Sequence, residues 1–436
     1  MKRNALQIVI LIMVFAIFGW AKAREKVIFS FNLTDGNLPN AGLVADQQGN
    51  LYGTTSYNGG THGWGNVFEL SPAKGGGWKE TVLHNFTGGA DGGWPLDSLI
   101  LDSAGNLYGT TESGGQGQCV VGGGGCGVAF ELTPSKSGWK ETVLYSFVPG
   151  KTKGVIPVGD LVFDKAGNLY GTTWAPGVAG GPLRLRNASG TSVRTYWGCS
   201  IPGCGGTVFE LTPTKNGWKE KDIYAFTGGK DGSTSQASLI FDGARNLYGT
   251  TVYGGSSGCV GGYGCGVVFK LAPGNHRWKE TVLHQFTGAA DGAYPMGNLI
   301  FDTAGNLYST ASAGGSAGKG TVFELTPVGK GWQESVLYNF TGGADGGSPF
   351  ATVVFDGQGN LYGTTNSGGN AYESGVAYKL VQSNHTWTET VLHTFSYPRD
   401  GQGPAAPLIF GPYGYLYGTT QGGGTSNHGA VFEVMP

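Results

Sequence analysis

The sequence predicts an all-β fold, a seven-bladed β-propeller built from four-stranded antiparallel blades. A segment close to Asn-Leu-Tyr-Gly-Thr-Thr recurs seven times at intervals of 54 to 78 residues, a period typical of stacked or radially arranged units. Each interval contains four runs of strand-forming residues separated by turn residues, and four strands are the usual content of a propeller blade. The tyrosines of the seven segments are Tyr52, Tyr108, Tyr170, Tyr248, Tyr308, Tyr362 and Tyr417.

The second repeat illustrates how each strand is predicted. Residues 99–101 are an apolar first strand, and residues 102–106 form a turn in which an aspartate bonds its own backbone. The second strand covers residues 107–111, which are rich in strand formers. A glycine-rich loop leads to a third strand at 128–132, and a Thr-Pro turn leads to a fourth at 139–147.

The two ends of the chain match different strands of one blade. Residues 25–31 resemble a fourth strand, whereas residues 431–434 resemble a third. We therefore expect the N-terminal strand to complete the last blade and close the ring, which leaves no open sheet edge. A β-helix, the alternative for a repeated β-chain, has shorter repeats and parallel strands.

The first 23 residues predict a secretory signal peptide. Lys2 and Arg3 form a basic start, residues 5–18 are apolar, and Ala21-Lys22-Ala23 is typical of a cleavage site. About 14 apolar residues are too few for a membrane anchor, the alternative. We expect one propeller domain over residues 24–436, a secreted or periplasmic location, and no membrane span after cleavage.

The charge balance argues against nucleic acid as a partner. Only 13% of the residues are charged, and loss of Lys2, Arg3 and Lys22 with the signal peptide changes the formal net charge from −2 to −5. A mildly acidic surface lacks the basic patch that nucleic-acid binding requires. We expect a monomer.

Six cysteines form three close pairs, each at the same place in a different repeat. In an exported chain an even number of cysteines indicates disulfides, and proximity favours three local bonds. The alternative, a metal site, would need four clustered ligands. The pairs are Cys119/Cys126, Cys199/Cys204 and Cys259/Cys265.

The repeat unit resembles a known family. Asp-x-x-Gly-Asn-Leu-Tyr-Gly-Thr-Thr, followed by Gly-Thr-Val-Phe-Glu-Leu-Thr-Pro, is clearest at residues 105–111 and 320–327. It resembles the tandem GloVer repeats of exported bacterial proteins, and more broadly the NHL-like propellers. The resemblance implies a propeller fold and export. The family has no established activity, so no catalytic residues carry over.

Recurrent aromatic positions are predicted to pack between blades. Tryptophan occupies one position in six repeats, and His84, His284 and His393 share another position with tyrosines. Interchange with tyrosine favours packing over proton transfer. The tryptophans are Trp78, Trp139, Trp218, Trp278, Trp332 and Trp387.

The third repeat departs most from the others. Its segment 174–198 is about twenty residues longer than most, and it predicts a loop that covers a binding surface for an acidic or sugar ligand. The alternative is a tolerated surface insertion pinned by Cys199–Cys204. The candidate ligand-binding residues are Arg184, Arg186, Arg194, Tyr196 and Trp197.

A second candidate site lies where the innermost strands start, near the mouth of the predicted channel. Asp97 and Asp160 come from adjacent blades, and Asn298 comes from two blades further round. Carboxylate and amide oxygens suit a hard cation, so Ca²⁺ is the candidate cofactor. Alternatively, the carboxylates cap strands or bind backbone amides.

These observations predict a binding scaffold for an extracellular glycan or protein partner. One alternative is a metal-dependent hydrolase or lyase acting on a carbohydrate or lactone at the channel mouth. The other is a structural cell-envelope protein. No Gly-x-Ser-x-Gly elbow lies on a predicted strand-to-helix turn, and no His-Glu-x-x-His motif occurs, so the sequence favours a protein without enzymatic activity.

Overall fold

The computed structural model of the protein describes most of the chain after the predicted signal peptide. The described residues are 25–59, 62–117, 119, 124–150, 154–176, 182–186, 192–197, 205–256, 258–259, 262–275, 277–411 and 414–436, with the backbone alone for 176, 182–186 and 192–197. The predicted signal peptide, and the predicted pair Cys199/Cys204, lie outside the described residues.

Seven four-stranded antiparallel sheets form the blades, as the sequence predicts. The first three, from the innermost to the outermost strand, are β2 (Val44–Ala45), β3 (Leu51–Thr55), β4 (Asn66–Pro72), β5 (Trp78–Asn85); β6 (Ile100–Leu101), β7 (Leu107–Thr111), β8 (Val128–Ser135), β9 (Gly138–Ser146); and β10 (Gly154–Phe163), β11 (Leu169–Pro176), β14 (Thr207–Thr214), β15 (Gly217–Ala225). Blade 3 also carries a separate hairpin, β12 (Pro182–Arg186) and β13 (Ser192–Trp197).

The remaining blades repeat this plan. They are β16 (Ile240–Phe241), β17 (Leu247–Thr251), β18 (Val267–Ala272), β19 (Lys279–Gln285); β20 (Ile300–Phe301), β21 (Leu307–Ala311), β22 (Thr321–Val328), β23 (Gly331–Asn339); β24 (Val354–Phe355), β25 (Leu361–Thr365), β26 (Val376–Ser383), β27 (Thr386–Thr394); and β28 (Ile409–Phe410), β29 (Leu416–Thr420), β30 (Ala430–Val434), β1 (Glu25–Ser30).

The N-terminal strand closes the ring. Strand β1 pairs antiparallel with β30, with Val27 opposite Phe432 and Glu25 opposite Val434. It thereby becomes the outermost strand of blade 7, whose other three strands come from the opposite end of the chain. The predicted closure is confirmed.

The recurrent segment forms the second strand of each blade because it fits the most crowded layer. A Cβ at Gly171 would lie 2.5 Å from the ring of Phe209 on the neighbouring strand, so only glycine fits there. The preceding Tyr170 packs edge-on against Phe241 and Trp278 of the next blade, with ring centroids 5.2 and 6.1 Å apart. The recurrent tryptophans therefore pack between blades.

The turn between the first and second strands is held by its aspartate. In blade 2, Asp102 accepts hydrogen bonds from the backbone N–H groups of Ala104 and Asn106, from the Asn106 carboxamide and from the Tyr108 hydroxyl. The same arrangement recurs at Asp46, Asp164, Asp242, Asp302 and Asp356. These aspartates organise turns, as their spacing predicts.

Two of the three predicted disulfides are present, Cys119–Cys126 and Cys259–Cys265. Each one closes the loop between the second and third strands of its blade. Disulfides persist in oxidising environments, which indicates an extracellular or periplasmic protein. Within the described part of the chain, no helix has the length and apolar character needed to cross a membrane.

Candidate functional site

Two kinds of segment meet at one end of every blade. In an antiparallel meander, the connection entering the first strand and the loop between the second and third strands emerge on the same side. Backbone bridges join them, for example Gly93 with Ser113 in blade 2 and Gly347 with Ser367 in blade 6. We call this side, formed by both kinds of segment, the loop face.

One residue in each connection adopts a left-handed backbone conformation, with φ between 52° and 64°. Hydrogen bonds to two blades hold it. In blade 2, the Trp94 N–H donates to the Trp64 carbonyl of blade 1 at 2.8 Å, and the Glu112 N–H donates to the Trp94 carbonyl at 3.0 Å. These positions, here called the left-handed ring, are Leu38, Trp94, Ile156, Thr234, Tyr294, Ser348 and Gly403.

The left-handed ring is uniform in its backbone and variable in its side chains. Seven different residue types occupy the seven positions, although the next residue is proline in six blades. Left-handed geometry costs an L-residue about 1–2 kcal/mol, yet six non-glycine residues adopt it. The residue after each recurrent segment also varies, with six residue types in seven blades: Ser56, Glu112, Trp174, Val252, Ser312, Asn366 and Gln421. Repeat-to-repeat variation is therefore concentrated on the loop face.

Aromatic side chains cluster at two junctions of this face. Between blades 1 and 2, the Trp94 ring lies 5.2 Å from Trp64 and 5.5 Å from Tyr57. Between blades 4 and 5, the Tyr253 ring lies 5.6 Å from Tyr294, and it is 36% exposed. Sequence reasoning missed these clusters; an alignment of the seven left-handed positions could have found Trp94 and Tyr294.

The left-handed ring lacks a side chain at Gly403, and a cavity of about 230 Å³ opens there between blades 6, 7 and 1. A Cβ at Gly403 would lie 3.2 Å from the Asn366 carboxamide nitrogen and 3.5 Å from the Gln421 carboxamide oxygen. The missing side chain therefore leaves space directly between two polar groups. The cavity, here called the Gly403 pocket, is lined by Leu38, Asn366, Ser367, Glu373, Gln402, Gly403, Gln421 and Gly422.

Polar groups of the Gly403 pocket are available to a ligand. The Nδ2 atom of Asn366 is buried and has no hydrogen-bond partner, which ordinarily costs about 1–3 kcal/mol. Glu373 accepts a hydrogen bond from the Gly368 N–H at 2.8 Å through one carboxylate oxygen. Tyr372, adjacent to Glu373 in sequence, is 67% exposed. The pocket thus combines carboxamides, a carboxylate and a nearby exposed aromatic ring.

The channel mouth is a smaller cavity of about 100 Å³, lined by residues from all seven blades. Here a side chain from one blade binds the backbone of the previous blade. The Ser98 N–H donates to Asp160 Oδ1 at 2.6 Å, the Asp160 N–H to Ser238 Oγ at 2.9 Å, and the Ser238 N–H to Asn298 Oδ1 at 2.8 Å. This chain of hydrogen bonds links blades 2 to 5.

Asp97 and Asp160 meet at this mouth, and hydrogen bonds reach all four of their carboxylate oxygens. Asp97 accepts from the Gly159 N–H at 2.8 Å and from the Thr110 hydroxyl at 2.9 Å, and the Asn298 carboxamide donates to Asp160 Oδ2 at 3.2 Å. Burial and the charge of Asp160 raise the pKa of Asp97 to about 7. Backbone amides are therefore bound, while Ca²⁺ ligation by Asp97, Asp160 and Asn298 stays a prediction.

The described parts of the long segment of blade 3 include two paired strands. Strands β12 and β13 pair with Leu183 opposite Tyr196 and Pro182 opposite Trp197. Arg184 and Arg186 lie on the first strand, and Arg194 on the second. Ligand binding by these five predicted residues stays a prediction, since the backbone alone is described.

Solved structures with similar chain traces have varied functions. An ulvan lyase of polysaccharide lyase family PL25 is 9% identical, with 92% of this chain and 94% of that chain covered and a TM-score of 0.47. A Streptococcus pneumoniae sialidase is 11% identical, with 94% and 70% covered and a TM-score of 0.42. A putative glucose dehydrogenase from Thermus thermophilus is 16% identical, with 77% and 95% covered and a TM-score of 0.41. Likenesses this weak assign neither ligand nor reaction.

Sequence comparison is decisive about the family. No curated protein is detectably similar to this chain. The family profile described as the Gloeobacter/Verrucomicrobia repeat matches residues 16–191 and 259–436, which is most of the chain. The match agrees with the seven blades and with the recurrent segment that forms their second strands. This protein belongs to the Gloeobacter/Verrucomicrobia repeat family.

Proposed function

We propose that the protein is an exported scaffold that binds a glycan through its loop face, with the Gly403 pocket as the principal site. One observation carries this proposal: one position of the loop face keeps the same backbone conformation in all seven blades while its residue type changes in every blade. Function on repeated folds resides in such loops rather than in the scaffold. The Gly403 pocket departs from the other positions of the left-handed ring, because a missing side chain opens it between polar groups.

The chemistry of the pocket favours a sugar. Sugar hydroxyls both donate and accept hydrogen bonds, and the carboxamides of Asn366, Gln402 and Gln421 offer both functions. The exposed ring of Tyr372 offers a flat apolar surface of the kind on which a sugar can stack. The carboxylate of Glu373 disfavours an anionic ligand, so we propose a neutral sugar unit.

A binding function is favoured over a hydrolase or lyase activity because the carboxylates at the channel mouth are already hydrogen-bonded within the protein. Asp97 and Asp160 accept hydrogen bonds from donors of their own and other blades, and three of these four bonds join different blades. A catalytic acid, base or metal ligand in their place would have to break those links between blades. In the Gly403 pocket, the Asn366 Nδ2 atom makes no hydrogen bond within the protein, so a ligand can bind it without breaking a link between blades.

The test is a glycan array with the exported protein, followed by calorimetry on the best ligand with Gly403→Ser. Serine adopts the same backbone conformation at Ser348, so the variant should fold while its hydroxymethyl group occupies the space between the Asn366 and Gln421 carboxamides. We expect binding to be lost. Gly359→Ser is the matched control: it adds a serine at another left-handed glycine, where a Cβ meets nothing within 4 Å.

Asn366→Ala tests the polar contact separately. Loss of one neutral hydrogen bond should weaken binding about 3- to 10-fold. If Gly403→Ser binds the glycan as well as its Gly359→Ser control does, the site lies elsewhere on the loop face. A protein that retains no glycan of any class on the array would refute the proposal.

A further inference from the structure

A second polar cluster occurs at the outer junctions between blades, where the connections meet the outermost strands. At each of several junctions a histidine or tyrosine of one outermost strand meets an aspartate of the next connection and a glutamate of the next outermost strand. Between blades 6 and 7 these residues are His393 on β27, Asp400 in the connection and Glu25 on β1. The junction is the place where the N-terminal strand closes the ring.

The three side chains converge on a common point. His393 Nε2 lies 2.9 Å from Asp400 Oδ2 and 3.9 Å from Glu25 Oε2. One ligand atom from each residue lies within 4.8 Å of the other two, and no other set of histidine, cysteine and acidic residues in the described chain meets that condition. At the equivalent junctions, His84 and His284 lie 3.4 and 3.3 Å from their aspartates.

Glu25 adds a second observation, which it shares with the equivalent glutamates of other junctions that lack such a convergent set: Glu80, Glu141, Glu280, Glu334 and Glu389 also have a buried Oε1 without a hydrogen-bond partner. The Glu25 side chain is only 9% exposed, and its Oε1 atom has no hydrogen-bond partner. A buried carboxylate without compensation is costly, so it requires a cation or a proton. The next nearest acid, Glu433, adds further negative potential at Glu25 and is itself paired with Lys26 at 3.5 Å.

We propose that Glu25, His393 and Asp400 bind one divalent transition-metal ion of the Zn²⁺ class. Zn²⁺ accepts imidazole nitrogen and carboxylate oxygen, often from three protein residues with a fourth position left for water. Ligands about 2.1 Å from a tetrahedral ion lie about 3.4 Å apart. The observed separations of 2.9 and 3.9 Å lie on either side of that value. Ca²⁺ is disfavoured because it takes six to eight oxygen ligands.

The position of the site gives the ion a structural role. Glu25 belongs to the N-terminal strand, whereas His393 and Asp400 belong to blade 6 and to the connection that follows it. These ligands are brought together only when β1 pairs with β30, so the ion binds the closed ring and stabilises it. The inference is independent of the proposed glycan site.

The test uses the exported protein without a histidine tag, stripped with EDTA and then dialysed. We expect added ZnCl₂ to raise the Tm by several degrees and to bind at one equivalent per chain, measured by elemental analysis. His393→Tyr should fold, because tyrosine occupies this position in blades 2, 3 and 5, and it should lose both effects. Glu25→Gln should lose them as well.

His84→Tyr is the matched control, since it makes the same change at an equivalent junction. It should retain the full Zn²⁺ response. A Tm rise of equal size in His393→Tyr and His84→Tyr would mean adventitious surface binding and would overturn the proposal. So would a wild-type protein that neither binds one equivalent nor responds to Zn²⁺.

Discussion

The two ends of each blade are built under different constraints. At the turn end, Asp102 and its counterparts make the same hydrogen bonds in six blades. At the loop end, the position of Trp94 is occupied by seven different residue types on one shared backbone. Side chains hold the chain at both ends, since Asp91 and its counterparts Asp231, Asp291 and Asp345 accept hydrogen bonds from threonines in the connections of the loop end. At the left-handed positions, however, backbone hydrogen bonds hold the chain, and the side chains there differ from blade to blade.

The largest effect on stability should come from the uniform interior. Phe209 is fully buried beneath Gly171 and packs against Phe147 of the previous blade with ring centroids 5.1 Å apart. Phe209→Ala should lower the free energy of unfolding by about 3–5 kcal/mol, because it leaves a cavity between two blades. Chemical denaturation measures the loss. A cost below 1 kcal/mol would mean that the interior tolerates variation as the loop face does.

Removal of a turn aspartate should cost less. Asp102→Ala deletes an acceptor of four hydrogen bonds at the partly exposed turn, so we expect a loss of about 2 kcal/mol. Asp102→Asn keeps one acceptor oxygen and should cost about half as much. If Asp102→Ala proved no more harmful than a loop-face substitution such as Ser348→Gly, the contrast between the two ends would fail.

The pH dependence of stability separates the turn end from the outer junctions. Burial, reinforced by nearby aspartates, raises the pKa of the junction glutamates from 4.5 to about 7. The pKa of each glutamate is higher in the folded state than in the unfolded state. The glutamates therefore contribute fully to the free energy of unfolding below pH 4.5, and this contribution is lost as pH rises toward 7. The glutamates concerned are Glu80, Glu141, Glu280, Glu334 and Glu389.

The turn aspartates act in the opposite sense. Burial opposes ionisation, but hydrogen bonds from Asn106 outweigh it and lower the pKa of Asp102 below 3.8. Its contribution is present above that value and is lost as pH falls. Burial also lowers the pKa of His84 and His284, so these two histidines make the folded state more stable as pH rises. They are fewer than the junction glutamates, whose opposite effect therefore dominates. We expect the highest Tm near pH ~4–5. Glu80→Gln should reduce the fall in Tm between pH 4.5 and 7, and an unchanged profile would refute the assignment.

Much of the fold could be predicted from the sequence because the fold is repeated. Six blades bury Leu-Tyr-Gly-Thr-Thr in the second strand and blade 5 buries Leu-Tyr-Ser-Thr-Ala, so nearly the same pattern occurs seven times. Ring closure followed from the strand type of residues 25–31. The pairings of Cys119 with Cys126 and of Cys259 with Cys265 followed from proximity.

The candidate sites could be predicted only in part. The sequence places Asp97 and Asp160 at the channel mouth, but not the backbone N–H groups that their oxygens accept from. Gly403 is one of 83 glycines. The cavity that it opens is formed by side chains of neighbouring blades, and the sequence does not show that these side chains lie together. Glu25 and His393 are far apart in the chain and meet only through ring closure.

The smallest effect on stability should come from a substitution in the left-handed ring. It tests whether the side chains of the loop end can vary without loss of stability, unlike those of the turn end. Ser348 adopts φ of 52°, a conformation that glycine reaches without steric cost. Its N–H donates to the Lys319 carbonyl and its carbonyl accepts from Asn366, and both bonds survive in Ser348→Gly. Relief of strain, offset by the greater freedom of the unfolded chain, should leave stability within about 1 kcal/mol of wild type. Thermal denaturation should therefore separate Ser348→Gly clearly from Asp102→Ala. A loss as large as that of Asp102→Ala would mean that side chains of the left-handed ring support the blades, and the loop face would no longer be free to vary.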